Sequence, residues 1–150
     1  ELQMSEQVMA ALFAADRLEH LTNAQTGVLR YLKNDTQVIC DRYYLSTYAY
    51  QSIAVDLDWT MALNKQAALM AKPDVHIFLD IAVDTALARI ARNREHMDIY
   101  ETKERLEETR TRYLEVIEKL KDTENIVIIN AEQSPEEIAR DIWESVKYLF

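Results

Sequence analysis

In the run Val38-Ile39-Cys40-Asp41-Arg42-Tyr43-Tyr44-Leu45-Ser46-Thr47-Tyr48-Ala49-Tyr50-Gln51, an apolar stretch ends abruptly in an acid and a base. Aromatic, hydroxyl and amide side chains then follow at close spacing. A strand that delivers a site has this form. In an open parallel sheet, ligands are met at the carboxyl ends of the strands, which is where Asp41 and Arg42 would stand. An Arg there can fork two N–H bonds onto a phosphate, and an Asp can hold a metal ion or its water. Taken alone, the same residues also suit a helix N-cap at Asp41 followed by core tyrosines.

Outward from this run, composition sets the limits. The chain has 150 residues, 49% of them hydrophobic, which fits a single soluble domain spanning 1–150. No apolar run approaches the ~20 residues that cross a bilayer, and no cationic, apolar segment argues for export. The single cysteine, Cys40, cannot form an internal disulfide and is expected to be a small buried hydrophobe, which suits a reducing cytoplasm. A net charge of −9 excludes the broad basic face that nucleic acid or an anionic membrane surface requires. It leaves room for a small anion met by a few arginines in a cleft. One glycine in 150 residues is far below the usual ~7%, and Gly27 lies inside a helical pattern. No Gly-rich loop is present to cradle phosphates.

Taken in order, Glu1 to His20 reads as a helix with Met4, Val8, Leu12 and Ala15 at helical spacing. Near its end, Phe13 and Arg17 stand four residues apart, so a ring and a guanidinium share one face and can meet one planar ligand. Ala24 to Lys33 is a short helix ended by the turn residues Asn34-Asp35. Gln37 to Cys40 is the first expected strand, and Ser46 to Ser52 winds into a helix. Trp59 to Met70 is a helix with Leu63, Ala67 and Met70 inward. Val75 to Ile81 is a second strand, in which His76 reads as a core or rim residue because no Cys or second His stands at metal-ligand spacing. Asp84 caps a helix from Thr85 to Arg92, and a polar, charge-dense connection follows to Glu101. Thr102 to Leu120 is a helix with Leu106, Tyr113, Leu114, Ile117 and Leu120 on one stripe. Ile126 to Asn130 is a third strand. Ser134-Pro135-Glu136-Glu137 forms a capping box that starts a final helix. Helices alternating with apolar strands and long crossovers predict an α/β fold with a parallel sheet flanked by helices.

The run at 38–51 closely resembles the signature of the thymidylate kinase family, in which a strand leads into Asp-Arg-Tyr, a Ser-Ser or Ser-Thr pair, and Ala-Tyr-Gln. The matching residues are Asp41, Arg42, Tyr43, Ser46, Thr47, Ala49, Tyr50 and Gln51. Phe13-Ala14-Ala15-Asp16-Arg17 is similar to a second family segment, which lies beside the nucleoside monophosphate. The resemblance implies a P-loop nucleoside monophosphate kinase fold and transfer of the γ-phosphoryl group of ATP to thymidine monophosphate (dTMP), with Mg²⁺ on the donor oxygens. It implies that Arg42 holds the acceptor phosphate and that Asp41 orients Arg42 or a metal-bound water. It further implies that Phe13 stacks on thymine, that Arg17, Thr47 and Gln51 bond the base, and that Tyr50 lies against the sugar. Residues 89–101 match the family's lid, with Arg94 as the first choice for a catalytic arginine and Arg89 and Arg92 next. Asn130 and Ala131, in the loop after the third strand, correspond to adenine contacts. The family forms homodimers, and the helices Glu1 to His20 and Trp59 to Met70 are candidates for such a face.

Two residues depart from the pattern: Ser52 stands where the family usually has Gly, and Tyr48 where it often has Leu. The family's first strand, phosphate loop and first helix precede the matched region, so this chain is expected to be a partial record of a longer polypeptide. Two alternatives remain at this level: a kinase for another deoxynucleoside monophosphate, and a non-catalytic nucleotide-binding or interaction protein without donor chemistry.

Overall fold

Four helix starts among the described residues are set by short polar side chains, at Ser5, Asp56, Thr102 and Ser134. The computed structural model describes residues 4–93 and 102–150 and divides into two compact units, Glu1–Lys72 and Pro73–Phe150. In the first, Ser5 caps α1 (Glu6–Thr22) by accepting from the Val8 amide at 3.3 Å. Such a cap contributes about 1 kcal/mol. The buried line of α1 runs through Ala10, Ala14 and Leu21, with Arg17 in register between them. This corrects the expected stripe: Met4, Val8 and Leu12 are each about half-exposed. Both faces carry apolar residues, and the face with small alanines is the one that lets the backbones of neighbouring helices come close.

Gly27 is the N-cap of α2 (Val28–Leu32) rather than a residue inside a helix. Its amide donates to the Asn23 carbonyl at 2.9 Å, and a Cβ there would lie 2.4 Å from that same oxygen. The chain's one glycine thus stands where two backbones touch. The turn at Asn34-Asp35 forms as expected, with Asp35 at φ 54°, a conformation that Asp tolerates better than most residues.

Gln37 to Cys40 is not a strand. A strand exists by its ladder, and among the described residues this unit contains no other strand to pair with. Ile39 is 96% exposed, and Cys40, expected to be buried, is also exposed. Arg42 then adopts φ 66° and turns the chain into α3 (Tyr44–Gln51), whose residues from Tyr44 to Ala49 are all buried. Ser52 caps α3 at φ −71°, a value open to any residue, so a glycine is not required there. Its hydroxyl is buried with no hydrogen-bond partner among the described residues.

Asp56 caps α4 (Leu57–Met70) by accepting from the Trp59 amide at 2.8 Å. The buried positions of α4 are Thr60, Asn64 and Ala67. Of the three residues expected inward only Ala67 is so; Leu63 is half-buried and Met70 exposed. The inward line is polar because α1 presents an arginine to it.

In the second unit, β1 (His76–Asp80) and β2 (Ile126–Asn130) pair in parallel, with His76 opposite Ile126 and Asp80 opposite Asn130. The described sheet therefore has two strands where three were expected. Parallel pairing needs a long crossover, here supplied by α5 (Val83–Asn93) and α6 (Lys103–Leu120). Asp84 lies within the first turn of α5 rather than capping it, and ion-pairs with Lys103 at 2.7 Å. Thr102 caps α6, which buries Thr109, Val116, Ile117 and Leu120. Leu114, expected on that stripe, is 37% exposed. Phe78 of β1 stacks on Tyr113 of α6, ring centroids 4.9 Å apart. The capping box at Ser134 and Glu137 forms as read from sequence and starts α7 (Pro135–Val146).

Candidate nucleotide site

The candidate acceptor residues belong to the first unit, where the packing of α1 against α3 brings Arg17 and Thr47 together. Arg17, on the buried line of α1, donates through Nη2 to the Thr47 hydroxyl at 2.6 Å and through Nη1 to Oδ1 of Asn64. Its guanidinium also lies over the Tyr43 ring, 5.5 Å from the centroid, within cation–π range. Tyr43 is itself tied to α4, its hydroxyl donating to the Ala67 carbonyl at 3.1 Å. Burial pushes the Tyr43 phenol up to about 12, so it remains a neutral donor. Burial also lowers the Arg17 pKa from its ordinary value, with Tyr43 and Tyr48 opposing the shift; the side chain stays cationic.

Arg42 and Asp41 are exposed. The left-handed backbone at Arg42 is uncommon for a residue with a side chain and costs roughly 1–2 kcal/mol. It allows the guanidinium to lie over the Tyr50 ring of α3, 4.8 Å from the centroid, and to donate to the Tyr50 hydroxyl at 3.1 Å. Phe13 is 45% exposed, which leaves a ring available for stacking. Gln51 is half-buried in the last turn of α3.

The candidate donor residues belong to the second unit. Arg89 of α5 reaches the loop after β2: Nη1 donates to the Ala131 carbonyl at 2.8 Å, and Nη2 to those of Gln133 at 3.2 Å and Glu132 at 3.4 Å. Asn130 shapes the same loop by accepting from the Glu132 amide at 2.9 Å. The buried Ala131 donates from its amide to the Asp80 carbonyl at 2.8 Å, and the Glu132 carboxylate accepts from the Ala82 amide at 2.7 Å. Arg92 is exposed on the last turn of α5. Arg94 lies outside the described residues.

Two groups were not singled out from sequence. Asn64 looks like one more polar residue in an amphipathic helix; its partner is 47 residues away and leaves no local signal. Asp80 and Arg110 form a two-point ion pair at 2.7 and 2.9 Å at the carboxyl end of β1. Here a signal existed, since Asp80 ends an apolar strand as Asp41 ends the run at 38–40. The hydrogen bond from Arg110 holds the Asp80 carboxyl below its ordinary pKa. Among the described residues, no group of three or more His, Cys, Asp or Glu side chains is placed to hold a metal by itself. Asp41 offers one exposed carboxylate, which suits an ion such as Mg²⁺ that takes most of its ligands from water and substrate oxygens. No helix among the described residues is long and apolar enough to cross a membrane.

The family model described as Thymidylate kinase matches residues 1–142. Among curated relatives, a probable thymidylate kinase of Sulfolobus acidocaldarius is 37% identical over 143 residues, 95% of this chain and 67% of the relative. One of Methanococcus aeolicus is 34% identical over 138 residues, 89% of this chain and 66% of the relative. A thymidylate kinase of Bacillus cereus is 33% identical over 147 residues, 93% of this chain and 67% of the relative. The chain spans about two thirds of the length of these curated relatives.

Proposed function

The chain belongs to the thymidylate kinase family, and from that premise we propose that the full-length protein transfers the γ-phosphoryl group of ATP to dTMP. An oxygen of the dTMP phosphate attacks the γ-phosphorus, the bond to the β,γ-bridging oxygen breaks, and dTDP and ADP leave. Chemistry of this kind needs positioning and charge neutralisation rather than covalent participation by the protein. The observation that carries the reading is the hydrogen bond from Arg17 to Thr47. It joins the two separate sequence segments that resemble the family's acceptor site. Around it, Phe13 stacks on the base, Arg17, Thr47 and Gln51 bond its edge, and Tyr50 bounds the sugar.

Asp41 and Arg42 serve the acceptor phosphate: Arg42 leaves the Tyr50 ring to form two bonds to phosphate oxygens. Mg²⁺, when bound, would neutralise donor phosphate charge, with Asp41 supplying a carboxylate directly or through water. In the second unit, Arg89 and the loop at Asn130 and Ala131 receive the adenine of ATP, and Arg92 and Arg94 serve the donor phosphates. The net charge of −9 favours small nucleotides over nucleic acid or membrane as partners, and the single cysteine fits a reducing, cytoplasmic location. A homodimer is supported by the half-exposed Val8 and Leu12, four residues apart on one side of α1, and by Met4 just before the helix.

The test is a coupled assay of ADP release by the full-length protein with ATP, Mg²⁺ and a panel of monophosphates. Turnover with dTMP well above dCMP, dGMP and AMP is expected. Turnover only with another deoxynucleoside monophosphate would reassign the acceptor, and binding of monophosphate without ADP release would make the protein a non-catalytic nucleotide binder.

A further inference from the structure

We propose that Asn64 is the positioning residue that aims Arg17 at the acceptor base, and that it thereby sets the preference for a keto over an amino pyrimidine. The inference rests on the proposed function in one respect, that Arg17 meets the base.

Asn64 is 1% exposed in the middle of α4, where an apolar residue would pack without a buried amide to satisfy. Both ends of its amide are engaged. Nδ2 donates to the Thr60 carbonyl one turn earlier at 2.9 Å, while Oδ1 accepts from Arg17. The orientation is determined by chemistry: turning the amide over would set oxygen against a carbonyl and NH₂ against a guanidinium, neither of which can bond. Helix α4 therefore presents a fixed acceptor to α1. A guanidinium is planar and rigid, so anchoring Nη1 on Asn64 and Nη2 on Thr47 determines where the remaining N–H groups point.

The groups that hold Arg17 are an amide oxygen, a hydroxyl and an aromatic ring. All are uncharged, so they orient the guanidinium without cancelling its charge, as a carboxylate at position 64 would. An arginine so held offers only donors. The 4-keto oxygen of thymine accepts from it; the 4-amino group of cytosine presents a donor and leaves both sides unbonded.

The experiment compares wild type, Asn64→Ser, Arg17→Met and the double variant in the full-length protein, with dTMP and dCMP as acceptors. Serine is chosen because its hydroxyl can still donate to the Thr60 carbonyl while no longer reaching Arg17. Asn64→Leu, which fills the space with apolar volume, replaces it if thermal melting shows that Asn64→Ser is unfolded. The expected result is a rise of about tenfold in KM for dTMP, the size of one charge-assisted hydrogen bond, with kcat and the KM for ATP little changed. The preference for dTMP over dCMP should narrow by a similar factor. In the Arg17→Met background the Asn64 change should add less than about twofold, because the two act as one unit.

An unchanged KM and preference, or the same factor in both backgrounds, would overturn the positioning role. Absence of any dTMP-dependent turnover in wild type would instead overturn the proposed function. In that case nitrogen NMR of the Arg17 side chain still decides on Asn64. Rotation of the guanidinium should be restrained in wild type and freed in the variant, and equal behaviour in both would refute the positioning role.

Discussion

The Arg42 guanidinium lies over the Tyr50 ring, 4.8 Å from its centroid, and donates to the Tyr50 hydroxyl at 3.1 Å. This contact joins the turn that carries Asp41 to the helix that carries Thr47 and Gln51. A cation–π contact at an exposed site is worth only about 0.5–1 kcal/mol. Two charge-assisted bonds to a phosphate exceed it, so the side chain is held near the site and released to a ligand.

Arg42→Gly separates chemistry from folding. It removes the guanidinium and relieves the left-handed strain at φ 66°. Phosphoryl transfer should fall by at least about a hundredfold, while the melting temperature stays level or rises by a few degrees. Retained turnover in the coupled assay would remove Arg42 from the acceptor site.

Arg89 donates to the carbonyls of Ala131, Glu132 and Gln133. Arg89→Met leaves the loop after β2 without these donors. The KM for ATP should rise by about tenfold, with that for dTMP little moved. Equal effects on both substrates would mean a general loss of structure instead.

The pair Asp80–Arg110 makes stability depend on pH in a defined direction. Because the folded pKa of Asp80 is lowered by Arg110, its contribution is present above the ordinary carboxylate pKa of about 4 and is lost as pH falls through the lower folded value. Arg110→Met should therefore melt below wild type at pH 7, by a few degrees at most since both side chains are partly exposed. The two proteins should converge once the pH has fallen below that folded value. A difference that persists undiminished in acid would contradict this linkage.

Gly27→Ala should destabilise the protein by roughly 1–3 kcal/mol, as overpacking does. The new Cβ would stand 2.4 Å from the Asn23 oxygen and 2.8 Å from that of Leu21. Both are backbone atoms that no rotamer change can move. A thermal melt equal to wild type would show that the α1–α2 junction yields.

Elements whose signals are local were legible in the sequence. The box at Ser134 and Glu137, the strand Ile126–Asn130 and the turn at Asp35 all form where their residues indicated. Each depends on side chains within a few positions of one another. The segment Gln37 to Cys40 reads equally well as a strand, but β structure requires a partner, and pairing is not a property of the segment. Helix faces were misread for a related reason. In the sequence leading into and along α1, both Met4-Val8-Leu12 and Ala10-Ala14-Leu21 repeat at helical spacing, and only the packing of neighbouring helices selects the second.

By itself, the order of residues determined the family and pointed to two candidate acceptor segments, because a run such as Asp41 to Gln51 carries its chemistry in side-chain identity and spacing. It also determined the capping box that starts α7. The tertiary structure alone decided that Arg17 and Thr47 meet although 30 residues apart, that Asn64 from a third helix anchors the same guanidinium, and that Arg89 grips the loop after β2. Those contacts join elements distant in sequence, and their geometry follows from how helices pack, which no local pattern of residues encodes.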